Sequence, residues 1–263
     1  MEWVTSKDNR WVKECRRLLT QRKARKETGL FVAEGARLCQ EAARCGLVIP
    51  RLLVTQSALD RYPALLAPVR EAAQEVLGIS EELAAGLGDT KTPQGVFALC
   101  QMPVQPPLSF IPQGRYLLLE SIQDPVNLGT IIRTADAFGA TALVLSPDVT
   151  DCYGPRVLRG AMGSVFRIPI FYTALDKTLE TLHSMDMPVY AATLEQGSVP
   201  VQRLRQLHPG GIAVAVGNEG AGLQPQTVAR CGRTVHIPMG GDTESLNAAV
   251  AASIILWEVC GRD

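Results

Sequence analysis

Three glycine-rich stretches of the sequence hold the polar side chains best placed for chemistry: 124–139, 217–223 and 235–248. The second reads GNEGAGL and places Glu219 among glycines directly after an apolar run. Parallel sheets bind ligands beyond the carboxyl ends of their strands, so a carboxylate at that point would face the ligand. An ordinary turn between a strand and a helix is the competing interpretation. The glutamate favours a ligand site, in a tight loop with exposed backbone donors.

The first stretch reads DPVNLGTIIRTADAFG and is typical of a helix. Its apolar residues have helical spacing, Asn127 is placed to cap the amino end, and Gly139 would end the helix. Arg133 falls opposite the apolar stripe, beside Gly129. Glycine near a helix start costs about 1 kcal/mol, which is reasonable if something must approach the backbone closely. A capped surface helix with a solvated arginine is the alternative.

The third stretch combines the end of a strand, a Gly-Gly turn and a helix of small residues that follows Ser245. The run NAAVAAS from Asn247 would let another backbone pack very closely, although a tightly packed terminal helix explains it equally well. Neither the dinucleotide fingerprint G-x-G-x-x-G nor the phosphate loop G-x-x-x-x-G-K-[ST] occurs in the chain.

The elements around these stretches predict two α/β domains joined by a proline-rich linker. Four prolines in 103–114 remove backbone donors, so we expect domains at 1–102 and 115–263 with a linker at 103–114. In the second, apolar runs alternate with helical patterns, which is typical of a parallel sheet covered on both faces. In the first domain we expect helices at 8–19, Ala36–Arg44 and 57–73 and strands at Leu30–Ala33, Arg51–Thr55 and Val96–Cys100. In the second we expect strands at Tyr116–Glu120, Ala142–Ser146, Val189–Ala192, Ile212–Val216 and Thr234–Ile237, and helices near 128–138, 175–184, 223–230 and 246–259.

Composition excludes several classes of protein. The 26 basic and 26 acidic residues cancel, but residues 1–26 hold nine of the bases against three acids, which leaves +6 there and −6 in the rest. Such a basic segment suits a polyanion such as RNA, or is simply a solvated helix face. Seven scattered cysteines without metal-ligand spacing predict reduced thiols, no metal and a cytoplasmic protein. No apolar run predicts a membrane span or a secretory signal.

Taken in order and at these spacings, the three stretches resemble the signature motifs of the SpoU (TrmH-type) RNA ribose methyltransferases, in the SPOUT superfamily. The resemblance covers nearly the whole chain. FVAEGARL at 31–38 and TPQGV at 92–96 are similar to the substrate-binding domain of the family's ribosomal-RNA members. RGAMGSVFRIP at 159–169 also has a family counterpart, with its small residues in a different order.

The resemblance implies a fold, a methyl donor and a site. The fold would be a small α/β substrate-binding domain followed by a parallel-sheet SPOUT domain with a deep trefoil knot, in a homodimer. The donor would be S-adenosylmethionine, with no metal. Residues implied to bind the donor are Thr193, Leu194, Gly217, Asn218, Gly220, Ile237, Met239 and Leu246. Residues implied to form the active site are Asn127, Arg133, Glu219, Ser245 and Asn247.

The implied reaction moves a methyl group from sulfur to a ribose 2′-hydroxyl, so the protein must mainly align that oxygen and assist loss of its proton. A guanidinium with a pKa above about 12 is a poor base. We therefore expect Arg133 to bind the adjoining phosphate and stabilise the developing alkoxide, with Glu219 or water as proton acceptor. The expected substrate is 23S ribosomal RNA.

Four other functions compete with this interpretation. Transfer RNA is the second choice of substrate, and a catalytically silent RNA-binding protein is a further alternative. Methylation of a base nitrogen would require different motifs. An oxidoreductase is suggested only by the parallel sheet and lacks the fingerprint.

Overall fold

The computed structural model describes residues 1–88, 93–195, 197–241 and 245–261. Thr92 of the TPQGV motif and residues 242–244 of the third stretch lie outside this set. The elements up to residue 104 are β1 Glu2–Val4, α1 Arg10–Thr20, α2 Arg22–Thr28, β2 Leu30–Glu34, α3 Ala36–Arg44, β3 Arg51–Val54, α4 Gln56–Arg61, α5 Pro63–Ala72, β4 Val76–Ile79, α6 Glu81–Leu87 and β5 Val96–Gln101. The later elements are β6 Arg115–Leu119, α7 Pro125–Phe138, β7 Ala142–Leu145, α8 Pro155–Ala161, β8 Ile170–Tyr172, α9 Leu175–Ser184, β9 Val189–Ala192, β10 Val199–Pro200, α10 Leu204–Leu207, β11 Ile212–Val216, α11 Pro225–Cys231, β12 Thr234–His236 and α12 Ala248–Cys260.

The chain forms two compact units. The first comprises residues 1–104 and 151–166, and the second comprises 105–150 and 167–263. The first unit is built on a five-stranded sheet in the order β1-β4-β3-β5-β2, in which β5 runs antiparallel to both of its neighbours. Amphipathic α1 packs Val12, Cys15 and Leu18 into the core on one face of this sheet.

The first unit includes a segment, 151–166, that the sequence analysis assigned to the second domain. Arg25 of α2 is 5% exposed and donates to the carboxylate of Asp151 at 2.7 Å. Phe31 of β2 packs its ring against Tyr153 at 4.9 Å and against Phe166 at 5.6 Å. A buried ion pair and an aromatic cluster therefore hold this segment on the first unit, and neither is visible in the local pattern of the sequence.

The second half of the proline-rich segment packs onto the second unit rather than lying free between units. The Phe110 ring meets Tyr116 of β6 edge-on at 4.9 Å. The backbone N–H of Ile111 donates to the Tyr116 hydroxyl at 2.8 Å. These contacts explain why the second unit begins at residue 105, inside the segment predicted to be a linker.

The second unit is built on a seven-stranded sheet in the order β10-β12-β9-β11-β6-β7-β8. All pairs of neighbouring strands in this sheet, as far as the described residues show, are parallel. The expected parallel sheet is therefore confirmed. β11, whose five residues are all buried, lies at its centre between β9 and β6. Its carboxyl end leads directly into the GNEGAGL loop.

Helix α7 begins earlier than predicted, and the prediction that Asn127 caps it is wrong. Asp124 is the N-cap, since its side chain accepts from the backbone N–H of Val126 at 2.7 Å, and Pro125 occupies the first helical position. Asn127 is therefore inside the first turn, 6% exposed, with its side-chain amide free for other partners. Gly139 ends the helix in a left-handed conformation, as predicted.

Helix α12 starts at Ala248 rather than near 246, with Asn247 as its N-cap. The Asn247 side-chain oxygen accepts from the backbone N–H groups of Ala249 and Val250 at 2.9 and 3.3 Å. Buried small residues of α12 allow it to pack closely on α7, where Gly129 is also buried. The first turns of the two helices are thereby brought together.

All seven cysteines are free, and five of them are buried. Burial raises the pKa of Cys39 to about 12, which keeps this thiol protonated. Within the described ranges, no helix has the length and apolarity needed to cross a bilayer, and no cluster of three or more His, Cys, Asp or Glu side chains is placed to hold a metal ion.

Candidate active site

A cavity of about 670 Å³ opens at the carboxyl ends of β12, β9 and β11. Its wall is formed by the GNEGAGL loop, by residues that follow β9 and β12, and by the start of α12. Ser245 and Glu219 line it as well. The eight residues expected to bind a methyl donor all lie in this wall: Thr193, Leu194, Gly217, Asn218, Gly220, Ile237, Met239 and Leu246.

The three glycines of the GNEGAGL loop have different roles. Gly217 must be glycine because a Cβ there would overlap the backbone of Gly222. Gly222 adopts a φ of 69°, in the left-handed region that favours glycine. Two backbone hydrogen bonds of 3.0 Å between Asn218 and Gly222 close the loop. Gly220 is exposed, and a Cβ there would meet the Asn218 side-chain oxygen at an ordinary contact distance of 3.7 Å.

The expectation that this loop exposes its backbone donors is wrong for two of them. The Asn218 side-chain oxygen accepts from the N–H groups of Gly220 and Ala221 at 2.9 and 3.0 Å. The Asn218 side-chain amide donates in turn to the Ser121 carbonyl at 2.8 Å. Asn218 therefore braces the loop from inside and ties it to the end of β6.

A chain of side-chain amides connects helix α12 to Glu219. Because the Asn247 oxygen is used in capping α12, its side-chain N–H₂ is left to donate, and it does so to the Asn127 oxygen at 3.0 Å. The Asn127 N–H₂ then donates to the Glu219 carboxylate at 3.0 Å. Only one orientation of each amide satisfies all of these bonds. We call this Asn247–Asn127–Glu219 arrangement the amide relay.

The Glu219 carboxylate is held by further donors. The backbone N–H groups of Gln123 and Asp124 point at it at 3.4 and 3.3 Å, and the Asn218 amide lies at 3.3 Å. Partial burial acts to raise the pKa of Glu219, but the hydrogen bonds from Asn127, from its own backbone and from these two N–H groups outweigh it, and the net pKa is lowered. Glu219 is therefore ionised at neutral pH and is a weak base.

Sequence reasoning missed the turn that supports this loop from the β6 side. Ser121 has a φ of 57°, which is uncommon for a residue other than glycine. Its hydroxyl donates to the Asp148 carboxylate, and its backbone N–H donates to the Ser146 hydroxyl at 2.9 Å. The strained turn aims the Ser121 carbonyl at Asn218. No local pattern in the sequence predicts this turn.

Arg133 is the one predicted site residue that lies neither in the amide relay nor in the wall of the large cavity. It lies on the exposed side of α7, six residues after Asn127, and so projects from a different face of the helix. Within the described residues it makes no ion pair, whereas its neighbour Asp136 pairs with Arg167 at 2.7 Å. Arg133 shares its face with Val126, since residues seven apart align on a helix.

Comparison with known proteins identifies the chain. Residues 114–257 match the model of the SpoU rRNA Methylase family, and residues 9–98 match that of the MRM3-like substrate binding domain. The protein belongs to the SpoU rRNA methylase family. Its match covers more than half of the chain, and the two models together leave out residues 1–8, 99–113 and 258–263.

Several relatives of this SpoU protein are similar over at least nine tenths of their length. The Bacillus subtilis (strain 168) 23S rRNA (guanosine(2553)-2'-O)-methyltransferase RlmP is 34% identical over 99% of this chain and 100% of its own. The Streptomyces viridochromogenes 23S rRNA (uridine(2479)-2'-O)-methyltransferase is 32% identical over 97% of this chain and 90% of its own. The crystal structure of an AdoMet-bound rRNA methyltransferase from Sinorhizobium meliloti covers 98% of this chain and 96% of its own at 32% identity, with a TM-score of 0.85.

The lowered pKa of Glu219 predicts a pH-dependent contribution to stability. A carboxylate whose pKa is lower in the folded state stabilises the protein above its unfolded pKa, near the ordinary 4.5, and this contribution is lost as the pH falls through the folded value. We expect Glu219→Gln to lower the melting temperature most near neutral pH, and the difference from wild type to shrink steadily below pH 4.5.

Thermal unfolding followed by circular dichroism across this pH range measures the difference. Glu71→Gln, at an exposed position on α5, is the matched control and should show a small difference at every pH. A Glu219→Gln difference that stays constant down to the most acidic pH would contradict the role of the ionised carboxylate.

Proposed function

We propose that the protein transfers a methyl group from S-adenosylmethionine to a ribose 2′-hydroxyl of 23S ribosomal RNA. The observation that carries this proposal is the amide relay at the rim of the large cavity, inside the part of the chain that matches the SpoU model. Two relatives that match nearly full length carry names for this reaction on 23S rRNA, and they modify different nucleotides of it.

The residues of the large cavity fit this donor. At about 670 Å³ the cavity is in the range of cofactor sites, and its lining is mainly apolar with a few polar groups. Apolar side chains such as Ile237, Leu246 and Leu223 suit the adenine ring, while polar side chains of the same wall, such as Thr193 and Ser245, suit the donor's polar parts. When bound, the donor supplies an activated methyl group. The eight residues named above would hold it.

The amide relay orients groups rather than accepting the proton. Glu219 is ionised, is already engaged by several donors and has a lowered pKa, so it is poorly suited to take a proton. Its charge instead fixes the orientation of Asn127, which lies beside the cavity. Water is therefore the better proton acceptor, and Arg133 stabilises the developing alkoxide and the neighbouring phosphate.

We also infer a homodimer formed through α7 and α12. Val126 and Val250 are 60% and 48% exposed on the first turns of the two helices, and Trp257, further along α12, is 54% exposed. Exposed apolar side chains grouped on adjacent helices indicate an interface. Arg133 lies on the same face of α7 as Val126. In such a dimer, the Arg133 side chain would therefore reach the active site of the partner subunit rather than Asn127 of its own chain.

The remaining parts of the proposal concern RNA, topology and location. The first unit, which matches a substrate-binding model, would bind RNA through α1 and α2, where Arg16 and Lys26 are exposed. Arg25 contributes nothing to that surface because it is buried.

The path of the chain supports a trefoil knot. Strand β12 pairs with β9, and the chain then returns so that α12 packs on α7. Ribosomal RNA as substrate and seven free cysteines support a cytoplasmic location.

Methyl transfer to unmodified RNA tests the proposal. The protein is incubated with methyl-labelled donor and, separately, with 23S, 16S and transfer RNA, and resistance to alkaline cleavage is mapped. A 2′-O-methyl group removes the nucleophile of hydrolysis, so we expect label in 23S rRNA and one protected linkage. Label without a protected linkage would mean base methylation and contradict the ribose assignment. Label in transfer RNA alone would contradict the substrate.

Mixed dimers test the shared site. Asn127→Ala and Arg133→Ala subunits, each with its own tag, are co-expressed and purified through both tags. We expect each variant to be inactive as a homodimer. If Arg133 acts in the partner's site, each mixed dimer keeps one intact site, and we expect about half the wild-type activity from a two-fold symmetric dimer. If Arg133 acts in its own chain, or if the protein is a monomer, no activity is restored.

A further inference from the structure

A second cavity, of about 330 Å³, lies within the first unit, between the start of α3 and the end of α8. We call it the α3–α8 cavity. Three motifs that lie far apart in the sequence meet in its wall. FVAEGARL contributes Glu34, Arg37 and Leu38, TPQGV contributes Gln94, and RGAMGSVFRIP contributes Arg159 and Met162. The amide relay and the large cavity leave these three motifs without a role.

The backbone around the α3–α8 cavity is built in an unusual way at both helix ends. Gly35 precedes α3 with a φ of 94° and no side chain to cap it, and the Gln94 side chain instead accepts from the backbone N–H of Ala36 at 3.0 Å. Met162 is the C-cap of α8, directly after Ala161, and adopts a φ of 49° although it is not glycine. A left-handed residue of this kind is strained. Burial does not compensate for the strain, because Met162 is 48% exposed.

The chemistry of the lining selects a class of ligand. Two carboxylates, of Glu34 and Glu41, are balanced by two guanidinium groups, of Arg37 and Arg159. A free phosphate or other small anion would meet both carboxylates, so this wall does not suit one. It offers donors, acceptors and an apolar surface from Leu38, as a flat, uncharged ring with polar edges requires. The cavity is about half the volume of the larger one and stands near the lower limit of ligand sites, which suits one ring system.

We propose that the α3–α8 cavity binds one unstacked base of the RNA substrate. Proteins that recognise RNA by sequence do so mostly through unpaired bases, which stack on aromatic rings or guanidinium planes and are hydrogen-bonded along their edges. None of the described residues that line the α3–α8 cavity is aromatic, so an apolar side chain takes that role here. Met162 provides the exposed apolar surface for the face of the base, and Arg37 provides a planar set of donors for its edge. This inference rests on the proposed function and assigns a specific pocket to its RNA substrate.

Two variants remove the proposed contacts without endangering the fold. Arg37→Ala truncates an exposed side chain, and Met162→Gly removes the apolar surface while relieving the left-handed strain. Arg70→Ala is the matched control, since it removes the same charge from an exposed position of the same unit outside the cavity. Steady-state methyl transfer to 23S rRNA gives KM and kcat for each protein, and calorimetry gives the affinity for S-adenosylmethionine.

We expect Arg37→Ala and Met162→Gly each to raise the KM for RNA by about tenfold, the lower range for losing one stacked base, with kcat and donor affinity unchanged. Arg70→Ala should change KM less than about twofold, as expected for one screened surface charge. Wild-type protein irradiated with RNA containing 4-thiouridine and 6-thioguanosine should crosslink to peptides from 34–41 or 158–162.

Two results would overturn this inference alone. One is KM values for Arg37→Ala and Met162→Gly no higher than that of Arg70→Ala, while the wild-type protein methylates RNA normally. The other is crosslinking confined to peptides outside the cavity wall. If the wild-type protein transfers no methyl group to any RNA, the proposed function fails and this inference fails with it.

Discussion

The geometry of the candidate active site depends on one ionised carboxylate and on two asparagine amides that are hydrogen-bonded to it in series. Glu219 lies in a loop at the end of β11, Asn127 in the first turn of α7, and Asn247 at the start of α12. Asn127 is 92 residues from Glu219 and 120 residues from Asn247 in the chain, yet each of the two amides has only one orientation that satisfies its partners. The capped end of α12 therefore sets the orientation of Asn127 through Asn247. Hydrogen bonds to an ionised group are about twice as strong as neutral ones, which makes the carboxylate the natural anchor of the set.

The rest of the second unit keeps this anchor in place. Strands β11 and β6 are parallel neighbours in the sheet, so the loop that carries Glu219 contacts the turn at Ser121. Asn218 spans the two, while the approach of Gly217 to Gly222 leaves no room for a side chain. Small residues on α12 let it lie against α7, which brings the two asparagines within hydrogen-bonding distance. The same helices leave apolar side chains exposed near the relay, which is why the site and the proposed subunit interface are neighbours.

Several elements were predictable because their local patterns are strong. Helix Ala36–Arg44 and strands Val189–Ala192 and Ile212–Val216 were predicted with their observed bounds. The edge strand Glu2–Val4 is too short to show a period. Asn127 was mistaken for a helix cap because both it and Asp124 suit that position, although the proline after Asp124 favours the aspartate. The residues around the large cavity were predicted from the family resemblance. Local sequence patterns do not encode tertiary packing, and for that reason they could not predict the amide relay or the position of Arg133 relative to it.

The most direct test of the amide relay is a double-mutant cycle on its two asparagines. Asn127→Ala removes the link to Glu219, and Asn247→Ser keeps a cap for α12 while removing the donor to Asn127. The quantity to measure is kcat/KM for methyl transfer to 23S rRNA in both single variants and in the double variant. If the two side chains act as one unit, the double variant should be no slower than the worse single variant, since effects within a unit are not additive. Losses that multiply in the double variant would show that the asparagines act independently and would contradict the relay.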